Sequence, residues 1–218
     1  MDSNFKTPRS ILNFYKNGFV GSICDEEDTK KLLSELPMPV FGAAAYDLYG
    51  SGEGKLSLPF KLLLKFDSGF GPAEKQTTGD CVAHSTRNAT DITRAVEIVN
   101  GDREDFVTRS ATEGIYQSRG HRGQGMSCSA AARYVHQSGG ILLRKDYGKV
   151  DLTKYNSDLG AKHKIPSSVC EDEAQKHQVK TISNIRTIEE ARDALANGYA
   201  ISVCSGHGFS SRRDSNGI

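Results

Sequence analysis

The residue best placed to do chemistry is Cys81, within Gln76-Thr-Thr-Gly-Asp-Cys81-Val-Ala-His-Ser85. It stands in front of the longest uninterrupted helical pattern in the chain. Val82, Ser85, Ala89, Ile92, Val96 and Val99 recur at spacings of three and four, and Asn100-Gly101 supplies the stop. A cysteine in the first turn of a helix meets unpaired backbone N–H groups and the positive end of the helix dipole. Both favour the thiolate, which is the nucleophilic form. Gly79 permits the tight turn a nucleophile needs, whereas the carboxylate of Asp80 opposes ionisation of a neighbouring thiol. The bland alternative is a small buried hydrophobe whose reactivity is unused. Local geometry leaves both open.

Composition narrows the classes of function. The 218 residues carry 28 Lys and Arg against 27 Asp and Glu, a formal net charge of +1. No nucleic-acid footprint and no affinity for an acidic membrane follow from such a balance. The N-terminal stretch Met1 to Ser10 lacks the apolar core of a secretion signal, and no apolar run approaches membrane-spanning length, so a cytoplasmic or virion location is expected. Cys24, Cys81, Cys128, Cys170 and Cys204 are odd in number and scattered, without a Cys-x-x-Cys pair. Free thiols in a reducing compartment are therefore expected, with no metal and no cofactor. A glycine-rich stretch at Tyr46 to Gly54 lacks the GxxxxGK[ST] pattern and reads as a linker or mobile loop, not a phosphate cradle.

The elements that must position Cys81 can be read around it. Residues 1–57 form an N-terminal extension, propeptide-like or a packing arm. It contains a short helix near Ile11 to Tyr15 and a second where Asp25-Glu-Glu-Asp28 leads an apolar stripe of Leu32, Leu33 and Leu36 ended by Pro37. Residues 58–218 form the main domain, beginning with the short apolar run Leu58 to Phe66. Ser110-Ala-Thr-Glu113 and Thr187-Ile-Glu-Glu190 are capping-box patterns, the second opening a helix with Ile188, Ala191 and Leu195 on its apolar face. Ser127 to Ser138 predicts a helix with Ala130, Ala131, Tyr134 and Val135 inward. Lys145 to Lys176 reads as exposed surface. Ile141 to Leu143, Val179 to Ile185 and Tyr199 to Cys204 read as extended or strand-like. Helices first and strands after predict an α+β fold with segregated layers.

From about Leu58 to Ile218 the sequence resembles the papain family of cysteine peptidases. Gln76 and Gly79-Asp-Cys81 resemble its oxyanion glutamine, turn and nucleophile. Ser110 to Tyr116 resembles the family helix that starts with Ser and Glu, and Gly125 to Gly140 the approach to its small-residue helix. Asp146-Tyr147 with Tyr155 resembles its tyrosine-rich segment, and Thr187 to Val203 the helix feeding a Val/Ile-Ser-Val strand. The resemblance implies a papain-like α+β fold, with a central helix led by Cys81 packed against a partly represented antiparallel sheet or barrel half. It also implies peptide-bond hydrolysis by a Cys/His pair, with Gln76 and a backbone N–H holding the oxyanion.

The departures are specific. Gln76 is one residue closer to the cysteine than in the family, and Val82-Ala83 replaces a bulky residue and its neighbour after the nucleophile. Thr78 stands where the family has a disulfide partner, which leaves Cys128 unpaired. Ser215-Asn-Gly-Ile218 resembles the segment that precedes the family's catalytic histidine and asparagine, so an incomplete domain is expected. His207 in the loop Cys204-Ser-Gly-His-Gly-Phe209 is the best local substitute for the base, with His84 in the same helix as Cys81 the second choice. The partners implied are a polypeptide substrate or, for a catalytically silent papain fold, proteins of a larger assembly such as a virus particle. An unrelated α+β domain is the third reading.

Overall fold

The computed structural model describes residues 22–23, 25–69, 74, 76–101, 107–138 and 140–204. The architecture is helix-rich α+β. Strand β1 (Ser22–Ile23) precedes helices α1 (Glu26–Glu35), α2 (Phe41–Ala44) and α3 (Phe60–Phe66). The long helix α4 (Cys81–Val99) is followed by α5 (Thr112–Gln117), strand β2 (Met126–Ser127) and α6 (Cys128–Arg133). Helices α7 (Ser157–Ala161), α8 (Ser167–Asp172) and α9 (Ile188–Ala196) follow, and short 3₁₀ turns lie at Tyr46–Leu48 and Ala174–His177.

Among the described residues the sheet is two-stranded and parallel, pairing Ser22 with Met126 and Ile23 with Ser127. The antiparallel sheet expected beside α4 is absent from those residues, where antiparallel pairing is limited to the single bridges Ser110–Leu143 and Asp146–Asp151. The two segments read as strands are extended without forming a ladder. Residues 179–185 make one parallel bridge, Asn184 to Val40. Residues 199–204 run along α4, where the Ala200 N–H donates to Thr93 Oγ1 (3.1 Å) and the Ser85 and Ser202 hydroxyls meet at 2.9 Å. Helix side chains supply hydrogen-bond partners that a neighbouring strand would otherwise provide.

Local chemistry explains the helices. The Asp25 carboxylate accepts from the Asp28 N–H at 2.8 Å, and Leu32 and Leu36 turn inward, as the spacing predicts. Helix α1 docks on α6 through Arg133, which pairs with Asp28 at 2.9 Å and with Glu35. Ser127 caps α6, and the chain continues through one π-helical turn, Tyr134–Ser138. Thr187 caps α9 as the capping-box pattern predicts; Ile188 and Leu195 of that helix are exposed, while Asp193 and Ala194 are buried. The helix near Ile11 to Tyr15 lies outside the described residues.

One apolar cluster forms around Val82, Ala83, Ile115, Tyr116, Met126 and Ile141, with Cys81 packed against it. A second gathers Ala111, Leu142, Val150, Leu152, Ile165 and Val169. The region read as exposed surface, Lys145 to Lys176, therefore buries a core beneath its charges. Leu63 of α3 is fully buried against Ala95 of α4, a burial that contributes about 2 kcal/mol.

Tyr46 to Gly54 is tied down: the N–H groups of Gly50 and Gly52 donate to Asp193 Oδ2 and Oδ1 at 2.9 and 2.7 Å, and Asn197 Nδ2 donates to Ser51 Oγ. A side chain at Gly52 would collide with the backbone of Arg192, so the loop can seat on α9 only through glycine. The thiols are not all free either. Cys128 and Cys204 form a disulfide, with Cα atoms 6.1 Å apart, while Cys81 and Cys170 are free. Their 76-residue separation hid the pairing from any short-range pattern.

Candidate active site

Cys81 is the first residue of the 19-residue helix α4, at the end of a turn formed by residues 77–80. Side chains from two other loops hold that turn. Gln124 Oε1 accepts from the Gly79 N–H at 2.6 Å and from the Thr78 hydroxyl at 3.3 Å. From another segment the Tyr155 hydroxyl donates to Asp80 Oδ2 at 2.8 Å, and the Thr77 hydroxyl donates to Ser157 Oγ at 2.7 Å. The Thr77 N–H reaches the Tyr155 oxygen at 3.5 Å. Every residue of the turn thus has a partner outside it.

Placement at the helix start does not by itself activate the thiol. Burial pushes the Cys81 thiol above its ordinary value, and the Asp80 carboxylate adds to that rise; the backbone N–H groups of Val82 and Cys81 pull the other way and lose. The dipole advantage expected at a helix N-terminus is outweighed here by desolvation and a neighbouring negative charge. A neutral-pH thiolate at Cys81 therefore requires a base.

His84 is not placed as that base. Its Nε2 lies 3.4 Å from Asp80 Oδ2 and its Nδ1 3.6 Å from Glu74 Oε2, so both ring nitrogens face carboxylates. The ring also stands edge-on to Tyr155, with centroids 5.2 Å apart. Gln76 is exposed on the segment that leads into the turn. His207, the other proposed base, lies outside the described residues.

The helix face that the apolar periodicity singled out is only partly the buried one. Val82 and Val96 are buried, but Val99 is exposed. The deepest polar stripe is instead Asp80, His84, Arg87 and Asp91, one turn after another. Each has a partner remote in sequence. Arg87 Nη1 donates to Glu74 Oε2 at 2.6 Å, and Asp91 accepts from the Ser110 N–H and hydroxyl at 3.0 and 2.6 Å. Arg144 Nη1 donates to both oxygens of Glu113 at 2.7 Å, and the Asn156 N–H donates to Glu113 Oε1 at 2.7 Å. Arg144 Nη2 approaches Glu74 at 3.8 Å, which joins the pairs into one cluster.

This cluster overturns the first capping-box reading. Ser110 and Glu113 do not cap α5, whose N-cap residue is Ala111; both are spent on buried ion-pair and hydrogen-bond partners. Sequence reasoning also missed Gln124 and Tyr155 as contacts of the turn. The spacing of Asp80, His84, Arg87 and Asp91 was the available signal for the polar stripe, whereas nothing local marks Gln124 or Tyr155.

Two surface depressions do not include Cys81. One, of about 330 Å³, is lined by Lys145, Tyr147, Ser168 and Glu173; the other, of about 470 Å³, by Leu56, Leu58, Val96 and Gly198. Among the described residues no group of three or more His, Cys, Asp or Glu side chains is arranged to hold a metal ion, and no helix is long and apolar enough to cross a membrane. No protein-family model, curated protein or solved structure matches this chain.

Proposed function

We propose that the chain carries the nucleophile side of a papain-like cysteine peptidase, in which the Cys81 thiolate attacks the carbonyl carbon of a peptide bond. The observation that carries this reading is the site of Cys81: a part-buried thiol that opens a 19-residue helix, where the backbone N–H groups of Cys81 and Val82 favour its ionised form. Backbone donors at that position suit a developing negative charge, first on sulfur and then on the substrate oxygen. The extended segment 199–204 beside α4 also agrees in kind with the family's order of elements. Gln76 serves as the side-chain oxyanion donor. The imidazole base belongs outside the residues described, with His207 as the best substitute in this sequence. The antiparallel half of the fold is part of the same proposal, as is a polypeptide substrate.

Hydrolysis of an unstructured protein substrate, measured with Cys81→Ala as the paired control, tests the reading. Activity lost in Cys81→Ala and blocked by a thiol-directed epoxide is the expected result. Equal hydrolysis by the two proteins would overturn it. A second reading draws on the raised thiol and on the position of both His84 ring nitrogens beside carboxylates. It is a catalytically silent papain fold serving as a structural or binding component of a larger assembly such as a virus particle, in the cytoplasm or the particle itself. That reading predicts no hydrolysis and stable association with a partner protein.

A further inference from the structure

We propose that Tyr155 is a positioning residue for Cys81, acting through the carboxylate of Asp80. The inference rests on Cys81 being the reactive thiol proposed above, and it adds a residue that neither the chemistry of a Cys/His pair nor the sequence pattern assigns.

Asp80 precedes the cysteine and is almost wholly buried, so the orientation of its carboxylate decides how much negative charge the thiol meets. Tyr155 holds one oxygen, Oδ2, by a 2.8 Å hydrogen bond. The other oxygen, Oδ1, is buried without a hydrogen-bond partner among the described residues, as is His84 Nε2, so no other hydrogen bond fixes this carboxylate. The same hydroxyl lies 3.5 Å from the Thr77 N–H, which ties the entry of the turn to its exit. Burial, with the Asp80 carboxylate second, raises the Tyr155 phenol well above its usual range, so the hydroxyl remains a donor at any physiological pH. The charged and titratable groups around the pair are His84 and Tyr116 beside Asp80, then Glu74, Arg87 and Arg144 beyond it. The Arg144 guanidinium also sits 5.9 Å from the centre of the Tyr155 ring.

Removing the hydroxyl frees the carboxylate to turn toward the thiol, whose ionisation it opposes. The test reads the thiol itself. Alkylation of Cys81 by iodoacetamide is followed by peptide mapping across pH, with Cys170 as internal control. Tyr155→Phe is expected to raise the Cys81 midpoint by about half a pH unit, a roughly threefold slower reaction below the midpoint, with Cys170 unchanged. Asp80→Asn is expected to lower the midpoint, and Tyr155→Phe to add no further shift in that background, because the charge it steers is gone. An unmoved midpoint in Tyr155→Phe, or the same shift with and without Asp80→Asn, would overturn the proposal.

Amide exchange in Tyr155→Phe alone provides a second measurement that does not depend on the double variant folding. Faster exchange confined to residues 77–80 supports positioning, whereas faster exchange throughout α4 makes Tyr155 a general stabiliser and ends the proposal. Hydrolysis is scored separately: its absence from the unaltered protein removes the peptidase reading, while the thiol titration still decides the role of Tyr155.

Discussion

Asp80 and Asp193 are both buried aspartates, and they are held in opposite ways. Asp193 spends both carboxylate oxygens on backbone N–H groups, those of Gly50 and Gly52, at 2.9 and 2.7 Å. Asp80 receives one hydroxyl, stands 3.4 Å from an imidazole, and leaves Oδ1 without a hydrogen bond among the described residues. A carboxylate fully matched by fixed backbone donors locks two segments together and has no other state to adopt. One held by a single side-chain hydroxyl retains freedom, and next to a thiol that freedom has chemical consequences. The first arrangement builds the fold, and the second tunes a site.

The largest effect should come from the buried pair that supports the Asp80 side of this comparison. Glu113→Gln leaves Arg144 without its bidentate partner in a region closed to water, and should cost about 3–5 kcal/mol in denaturant unfolding. A loss below about 1 kcal/mol would show that the cluster reaches water and that its charges are screened. Asp193→Asn replaces one accepting oxygen by an amide donor that faces a backbone N–H. It should cost about 2 kcal/mol, with new protease cleavage between residues 46 and 54 and an unaltered Cys81 titration. Movement of the Cys81 midpoint in that variant would erase the distinction drawn between the two aspartates.

The smallest effect concerns acid. The Ser129 hydroxyl, and after it the Arg133 guanidinium, hold the Asp28 carboxyl below its ordinary value of 3.8. A depressed folded value means that the stabilisation is complete above the unfolded value and disappears as pH falls through the folded one. Amide protection in α1 should therefore drop selectively below about pH 4, and Ser129→Ala should shift that loss to higher pH. Unchanged protection of α1 down to pH 2 would show that its apolar contacts alone hold it.

Legibility followed the range of the interactions. Helix α4 was evident from its own residues and its Asn-Gly stop, and α1 from Asp25 and the acidic run, since caps and periodicity act within a few residues. The Thr187 cap of α9 was legible too, but not its buried face, where Asp193 points inward and Ile188 and Leu195 to solvent, because the partner of that helix is a glycine loop that offers N–H groups in place of an apolar surface. Ser110 and Glu113 matched a capping pattern, but partners at Asp91 and Arg144 bound them more strongly than a helix end could. The disulfide between Cys128 and Cys204 joins residues that no spacing rule connects.

By itself, the sequence determined that a cysteine opens a long helix behind a glycine turn, that helices dominate the first part of the chain, and that the overall charge is near neutral. These follow from backbone propensity and composition, which need no distant partner. Only the tertiary structure decided that the deepest face of α4 is charged, that Gln124 and Tyr155 hold the turn, and that burial outweighs the helix start and raises the Cys81 thiol. Those properties arise where burial removes water from charges, and burial is created by the packing of segments far apart in the chain.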